Sequence, residues 1–362
     1  MTQPIHGGNV YKVAREQRIP VGRILDFSAS INPLGPPATG LRAIRAALKQ
    51  IVHYPDPDCW QLTQELAQQC AVDPDMILVG NGSTELIHLL PRALRITSAL
   101  VMGPTFEEYA HALTDAGSSV RYVHATHAEQ FCPPLNETLR QLSGKRSSFD
   151  AVFLCNPNNP TGQVINRLAV RELAEAVERR QGWLIVDEAF IDYCPAQSVM
   201  PMLRECPRMM VLRSLTKFYA MPGLRIGYLV GANKVVERVK DCQPPWSVNS
   251  LAQEVSLAVL RDHAYATTSR TFMKSERSRL MRGLRHLSGL CLYPSAVNFV
   301  LIELPVSTCA AEVTARLAAK RLLVRDCSTM PGLTSQMIRV AVKTEKDNRR
   351  LLAALGSCLG KP

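Results

Sequence analysis

Four short stretches of this chain gather side chains that can do chemistry. In RSLTKFYAMPGLRIGY, residues 213–228, Lys217 falls where an apolar run gives way to a turn, just after the hydroxyls of Ser214 and Thr216 and upstream of Arg225. An amine in that place is either an ordinary exposed lysine at a strand end or a nucleophile able to form a Schiff base with an aldehyde. In WLIVDEAFID, residues 183–192, Asp187 closes an apolar run. A carboxylate buried there is costly unless it meets a cation or a proton donor, and a helix cap or a salt bridge would serve as well as a site. In CNPNNPTG, residues 155–162, two prolines and neighbouring asparagines impose a rigid non-helical loop that projects amide groups, Asn159 among them. In VGNGSTE, Gly80 and Gly82 permit a tight turn, and Ser83, Thr84 and Glu85 open a helix whose free N–H groups suit a phosphate. A plain capped helix start explains that last motif equally well.

Taken together, the four stretches suggest one chemistry. A lysine amine can capture an aldehyde, and a helix N-terminus with Ser214, Thr216 and Arg225 can hold a phosphate. A buried carboxylate can keep a pyridine nitrogen protonated, and an asparagine amide can donate to a ring oxygen. These are the handles of pyridoxal 5′-phosphate, whose ring is an electron sink.

Such groups need strands that end at one edge. Strand patterns fall at 76–80, 98–103, 119–124, 151–155, 183–187, 209–213 and 226–230, with amphipathic helices at 83–94, 106–117 and 168–180 between several of them. The alternation predicts an α/β fold with a mostly parallel sheet covered by helices on both faces, and loops after the strands are where such sheets bind ligands. After Pro244–Pro245 the pattern changes: a long helical region over 249–287 leads into a smaller α+β unit. The reading divides the chain into an N-terminal arm (1–45) that completes the smaller domain, a large domain (46–250), a connecting helix (251–285) and a small domain (286–362).

The 362 residues are 46% hydrophobic and 20% charged, ordinary for a globular protein of this size. No run approaches the ~20 uninterrupted apolar residues of a membrane span, and the N-terminus lacks the apolar core of a signal peptide, so a cytoplasmic location is expected. The net charge of +11 favours anionic partners. Lysine and arginine are spread without a dense run or a base-reading motif, which points to anionic small molecules and away from nucleic acid. The 11 cysteines form no C-x-x-C pair and no Cys/His cluster of zinc spacing, so no metal is expected and they read as core fillers such as Cys155, or spare thiols.

The order GNGSTE, PNNPTG, DEAFID, SLTKFYAMPGLRIGY resembles the fold-type I, class II pyridoxal-phosphate aminotransferase superfamily over essentially the whole chain. Within it, HGGN (6–9), LDFSASINPLG (25–35), YPDPD (54–58) and PWSVN (245–249) resemble the branch that decarboxylates L-threonine O-3-phosphate in cobalamin biosynthesis, with histidinol-phosphate aminotransferases next to it. The resemblance implies a seven-stranded fold-type I sheet, Lys217 as the cofactor-bound amine, Asp187 at the pyridine nitrogen and Asn159 at the phenolic oxygen. It places Gly82, Ser83, Thr84, Ser214, Thr216 and Arg225 in a phosphate cup and Phe106 against the ring. Tyr54 would reach the cofactor phosphate of a neighbouring subunit, which implies a homodimer with shared sites. His6, Gly7, Ser30, Asn159, Arg325 and Arg339 would contact a small phosphorylated amino acid. Many relatives carry tyrosine after DEA where this chain has Phe190, and some decarboxylase relatives have asparagine where it has Ser30.

The expected reaction is decarboxylation, with histidinol-phosphate transamination as the alternative and a non-enzymatic cofactor-binding regulator as a third. Decarboxylation and transamination differ in which Cα bond stands perpendicular to the ring, so the groups that position the substrate choose between them.

Overall fold

A computed structural model describes residues 7–144 and 149–360. Thirteen strands occur among them in chain order: β1 (Leu25–Asp26), β2 (Ile77–Gly80), β3 (Ser98–Gly103), β4 (Ser119–His124), β5 (Ala151–Cys155), β6 (Trp183–Asp187), β7 (Met209–Ser214), β8 (Gly227–Val230), β9 (Cys291–Leu292), β10 (Phe299–Glu303), β11 (Leu322–Leu323), β12 (Arg325–Asp326) and β13 (Met337–Ala341). Seven build the large sheet in the order β2-β8-β7-β6-β5-β3-β4, in which only β8 runs antiparallel to its neighbours. The strands agree with the apolar runs of the sequence because a strand buried on both faces needs apolar residues at every position.

The pleat of β5 divides the interior. Val152 and Leu154 join one core with Leu184 and Val186, whereas Ala151, Phe153 and Cys155 join the opposite core with Ile185. Helix Arg167–Arg179 covers the first face through Val170, Leu173, Ala174 and Val177, one stripe at helical spacing, and Asn166 caps its start by accepting from the Ala169 N–H. Helix Ser83–Ala93 covers the second through Leu86, Ile87 and Leu90.

Strands β12-β13-β10-β9 form an antiparallel sheet that packs with helices Ala310–Ala319 and Glu345–Leu359. The N-terminal segment joins this unit: β1 pairs in parallel with β11, and Phe27 is wholly buried in the same core. The expected single connecting helix is instead two, Ser250–Leu260 and His263–Arg285. The break has a polar cause. Asp262 accepts from the Tyr265 N–H and from the Thr39 hydroxyl, so it caps a new helix start that hydrophobic periodicity does not reveal.

Candidate active site

The strand register lines up the chemistry at one edge of the large sheet. Ser214 at the end of β7 pairs with Gly227, and Gly227 pairs with Gly80 at the end of β2. Asp187 at the end of β6 pairs with both Cys155 and Leu212. This edge therefore gathers Lys217, Asp187, the 155–162 loop and the start of helix Ser83–Ala93, as the carboxyl ends of parallel strands do.

Lys217 lies just past β7. Its Nζ donates to Thr216 Oγ1 at 3.0 Å and lies 3.5 Å from Ser214 Oγ, and those two hydroxyls are 2.7 Å apart. The main chain is clamped from the N-terminal segment: Asn32 N–H donates to the Lys217 carbonyl, and the Asn32 amide donates to the Phe218 carbonyl. Burial lowers the amine's pKa to about 8, helped by Arg225 and Arg339 and opposed by Asp187. Withdrawal from water is the larger cause, ahead of either guanidinium.

Asp187 is buried, with Oδ1 accepting from the Ala189 N–H at 2.9 Å and Oδ2 from the Tyr109 hydroxyl at 2.6 Å. Burial pushes its pKa up, while Tyr109, Ala189 and Lys217 favour the charged form. Sequence reasoning missed Tyr109. The available signal was a tyrosine one turn after Phe106 on a core-facing helix, since a buried phenol needs a partner.

The loop after β5 separates two kinds of asparagine. Asn156 exchanges hydrogen bonds with the backbone of Ile165, and Asn158 is held by Thr105, Thr161 and the Pro104 carbonyl. Both are scaffold. Asn159 instead turns its carbonyl oxygen to Arg339 Nη1, leaving its amide N–H groups for a ligand.

The phosphate cup is built on close backbone approach. Helix Ser83–Ala93 has no side-chain cap, and Gly82 before it has φ +78°, where a Cβ would come within 2.5 Å of Arg225 Nη2. At Gly227 a Cβ would lie 2.5 Å from the Ser83 nitrogen and 2.7 Å from the Arg213 carbonyl. Two glycines thus let the helix start, the β8 backbone and Arg225 converge, with Thr84 on the helix's first turn. Uncapped N–H groups, a guanidinium and two hydroxyls form a donor set suited to a phosphate dianion. With a depressed-pKa lysine and a buried carboxylate beside it, the cradle fits pyridoxal phosphate.

The opposite wall comes from the smaller sheet. Arg325 of β12 and Arg339 of β13 are direct cross-strand partners, and both are buried. Like charges facing each other across a ladder are unfavourable without an anion between them. Arg325 pairs with Glu107 at 3.1 Å, a carboxylate unforeseen in the sequence. Arg339 Nη2 donates to the Ser28 carbonyl at 2.7 Å, its guanidinium lies 5.0 Å from the centre of the Phe299 ring, and its Nε has no partner. Phe190 meets the same Phe299 edge-to-face at 5.0 Å, so this residue supports the arginine wall.

Gly7 lies against Ser28, where a Cβ would meet the carbonyl at 2.3 Å, and the Gly8 N–H donates to the Ser28 hydroxyl. Ser30 is buried with an unpartnered Oγ. His6 lies outside the described residues. Phe106 packs edge-to-face on Tyr109 at 5.6 Å. Tyr54 is not in this cluster: it is 79% exposed and stacked on Trp246.

The family "Aminotransferase class I and II" matches residues 23–355. A threonine-phosphate decarboxylase of Salmonella typhimurium is 38% identical over 98% of this chain and 96% of its own. The crystal structure of an L-threonine-O-3-phosphate decarboxylase from Porphyromonas gingivalis superposes with a TM-score of 0.82 at 27% identity, over 93% of this chain and 100% of that one. A histidinol-phosphate aminotransferase from Clostridium acetobutylicum superposes with a TM-score of 0.87 at 28% identity, over 94% and 100%. The chain belongs to the class I and II aminotransferase family, and it is a pyridoxal-phosphate-dependent enzyme with a fold-type I sheet.

Proposed function

We propose that this family member decarboxylates L-threonine O-3-phosphate to (R)-1-amino-2-propanol O-2-phosphate, for cobalamin biosynthesis. The observation that carries the reading is the buried Arg325–Arg339 pair facing the cofactor edge. Two guanidiniums suit a substrate bearing both a phosphate and a carboxylate. The Salmonella relative supports the same choice.

When bound, pyridoxal phosphate supplies an aldehyde for the substrate amine and a ring that accepts the electron pair left by a broken Cα bond. Lys217 would hold the aldehyde carbon, and Gly82, Ser83, Thr84, Ser214, Thr216 and Arg225 would hold the phosphate. Asp187 would keep the ring nitrogen protonated, with Tyr109 fixing the carboxylate's orientation. Asn159 donates to the phenolic oxygen while its own carbonyl anchors Arg339, so one side chain ties cofactor to substrate wall. Phe106 covers the ring. Arg325, Arg339, Ser30 and the arm at His6 and Gly7 would bind the substrate's anionic groups and so fix which Cα bond is set to break. Carbon dioxide leaves, and Cα takes a proton; Lys217, with its ordinary amine basicity suppressed, is the group placed to give it.

A homodimer completes the site in this reading. Ile51, Val52, Tyr54 and Trp60 expose large apolar surfaces close together in sequence, as an interface does. Tyr54 would cross to the partner's cofactor phosphate. A cytoplasmic location accords with the reaction, and among the described residues no helix is long and apolar enough to cross a membrane.

The second reading, transamination of histidinol phosphate, draws on the Clostridium superposition. That substrate has a phosphate but no carboxylate, so it leaves one guanidinium to an oxo-acid partner. Carboxyl-labelled threonine phosphate separates the two: the proposal expects labelled carbon dioxide and one equivalent of aminopropanol phosphate with no oxo acid added. Turnover only of histidinol phosphate with an oxo acid would sink it.

A further inference from the structure

Away from the cofactor edge, the two helices that frame it meet in a cluster of ligating side chains. His88 lies on helix Ser83–Ala93, which begins at the phosphate cup; Glu108, His111 and Asp115 lie on helix Glu108–Asp115, which carries Tyr109. Glu108 Oε2 stands 2.9 Å from His88 Nε2 and 3.9 Å from His111 Nδ1, and His111 Nδ1 stands 3.6 Å from Asp115 Oδ2. Ligating atoms of His88, His111 and Asp115 all lie within 4.8 Å of one another. A tetrahedral zinc ion with bonds of about 2.0–2.1 Å places its ligand atoms about 3.3 Å apart, in the middle of these separations.

One further observation favours an ion over a plain ion-pair network. His111 Nδ1 is buried and makes no hydrogen bond, although two carboxylates lie just beyond hydrogen-bonding range. Sequence spacing hides the cluster, because His88 comes from a different helix than the other three.

We propose that His88, His111 and Asp115, beside the Glu108 carboxylate, bind a divalent transition-metal ion of the zinc class. Two imidazole nitrogens with carboxylate oxygen are a borderline ligand set that prefers zinc, nickel or copper to calcium or magnesium. Binding at His88 Nε2 requires the tautomer that carries the ring proton on Nδ1, so the hydrogen bond to Glu108 is given up for the metal bond. The ion would brace the helix that starts the phosphate cup against the helix that carries the Asp187 partner, and so stabilise the folded chain in proportion to its occupancy. A second cluster, His127, Cys291 and Glu303, is more exposed, and its carboxylate already accepts from the Tyr293 hydroxyl at 2.5 Å. It is the internal control.

The test titrates zinc calorimetrically into holoenzyme carrying Cys291→Ser, Cys242→Ser and Cys309→Ser, which removes the exposed thiols among the described residues. Expected is one saturable site per chain of micromolar affinity, weakened at least about tenfold by adding His88→Gln or His111→Gln. Zinc should raise the unfolding temperature of the parent and not of either histidine variant, while cofactor absorbance shows all three loaded and folded. No saturable binding in the parent, or unchanged affinity in both histidine variants, would overturn the site.

Discussion

The two walls of the cleft are built on different principles. The sheet wall takes its groups from the ends of parallel strands, and each has a partner within the chain: Asp187 has Tyr109 and Ala189, and Lys217 has Thr216. The wall from the smaller sheet takes its groups from antiparallel strands: Arg325 has Glu107 at 3.1 Å, but Arg339 is left short of a partner. Arg325 faces Arg339, and both the Arg339 Nε and the Ser30 Oγ are buried without partners. In the proposed reading, the wall complete in itself holds the resident cofactor, and the wall with unmet donors receives the transient substrate. Asn159 bridges them, accepting from Arg339 while standing on the β5 loop.

Substitutions can break that division, and the largest effect belongs to the sheet wall. Lys217→Ala should lower carbon dioxide release by about 10²–10⁴ or more, the range for a lost proton-transfer group. Its phosphate cup should still retain cofactor on a desalting column, without the absorbance of the covalently held form. Arg339→Ala strikes the other wall and strips the Ser28 carbonyl and Asn159 of their donor. A loss of roughly 2–5 kcal/mol in kcat/KM is expected, as for other buried charge partners. Arg339→Lys should recover little of it, because one ammonium cannot reproduce both contacts.

Tyr109→Phe sharpens the contrast within the sheet wall. It removes a hydrogen bond to a carboxylate, worth about 1.5–3 kcal/mol. Losing a donor that favours the charged form raises the Asp187 pKa further, so the acid limb of the pH–rate profile should move to higher pH. A merely structural tyrosine would lower activity evenly across pH. Gly82→Ala forces a side chain into left-handed backbone at φ +78° and against Arg225, a cost of about 1–2 kcal/mol from the backbone alone. Cofactor affinity should drop while kcat at saturating cofactor holds.

The smallest effect is kinetic. In the cofactor-free protein the Lys217 amine titrates near 8 instead of 10.5, so capture of pyridoxal phosphate should quicken with pH and level off above about 8. An amine left in water would go on accelerating to pH 10, which stopped-flow absorbance distinguishes.

What the sequence makes legible follows the same division. Lys217, Asp187, Asn159 and the Gly82–Thr84 turn sit in contiguous motifs, and each apolar run matches its strand to within a residue. Local pattern decides such features, because strand, turn and helix start are local structures. The contacts that finish the site are not local. Tyr109 and Asp187 are 78 residues apart, and Asn32 reaches the Phe218 carbonyl across 186. That Arg325 and Arg339 would face each other depends on the β12–β13 register, and that Glu107 would pair with Arg325 depends on how segments 218 residues apart meet. Periodicity carries neither kind of information, which is also why the helix break at Asp262 went unseen.

The division itself is tested by titrating loaded Arg325→Met enzyme with threonine phosphate while following cofactor absorbance. If the guanidinium pair reads the substrate and the sheet wall alone holds the cofactor, half-saturation should rise at least about 30-fold with cofactor affinity unaltered. Cofactor loss in step with substrate, or half-saturation equal to that of the parent, would contradict the account.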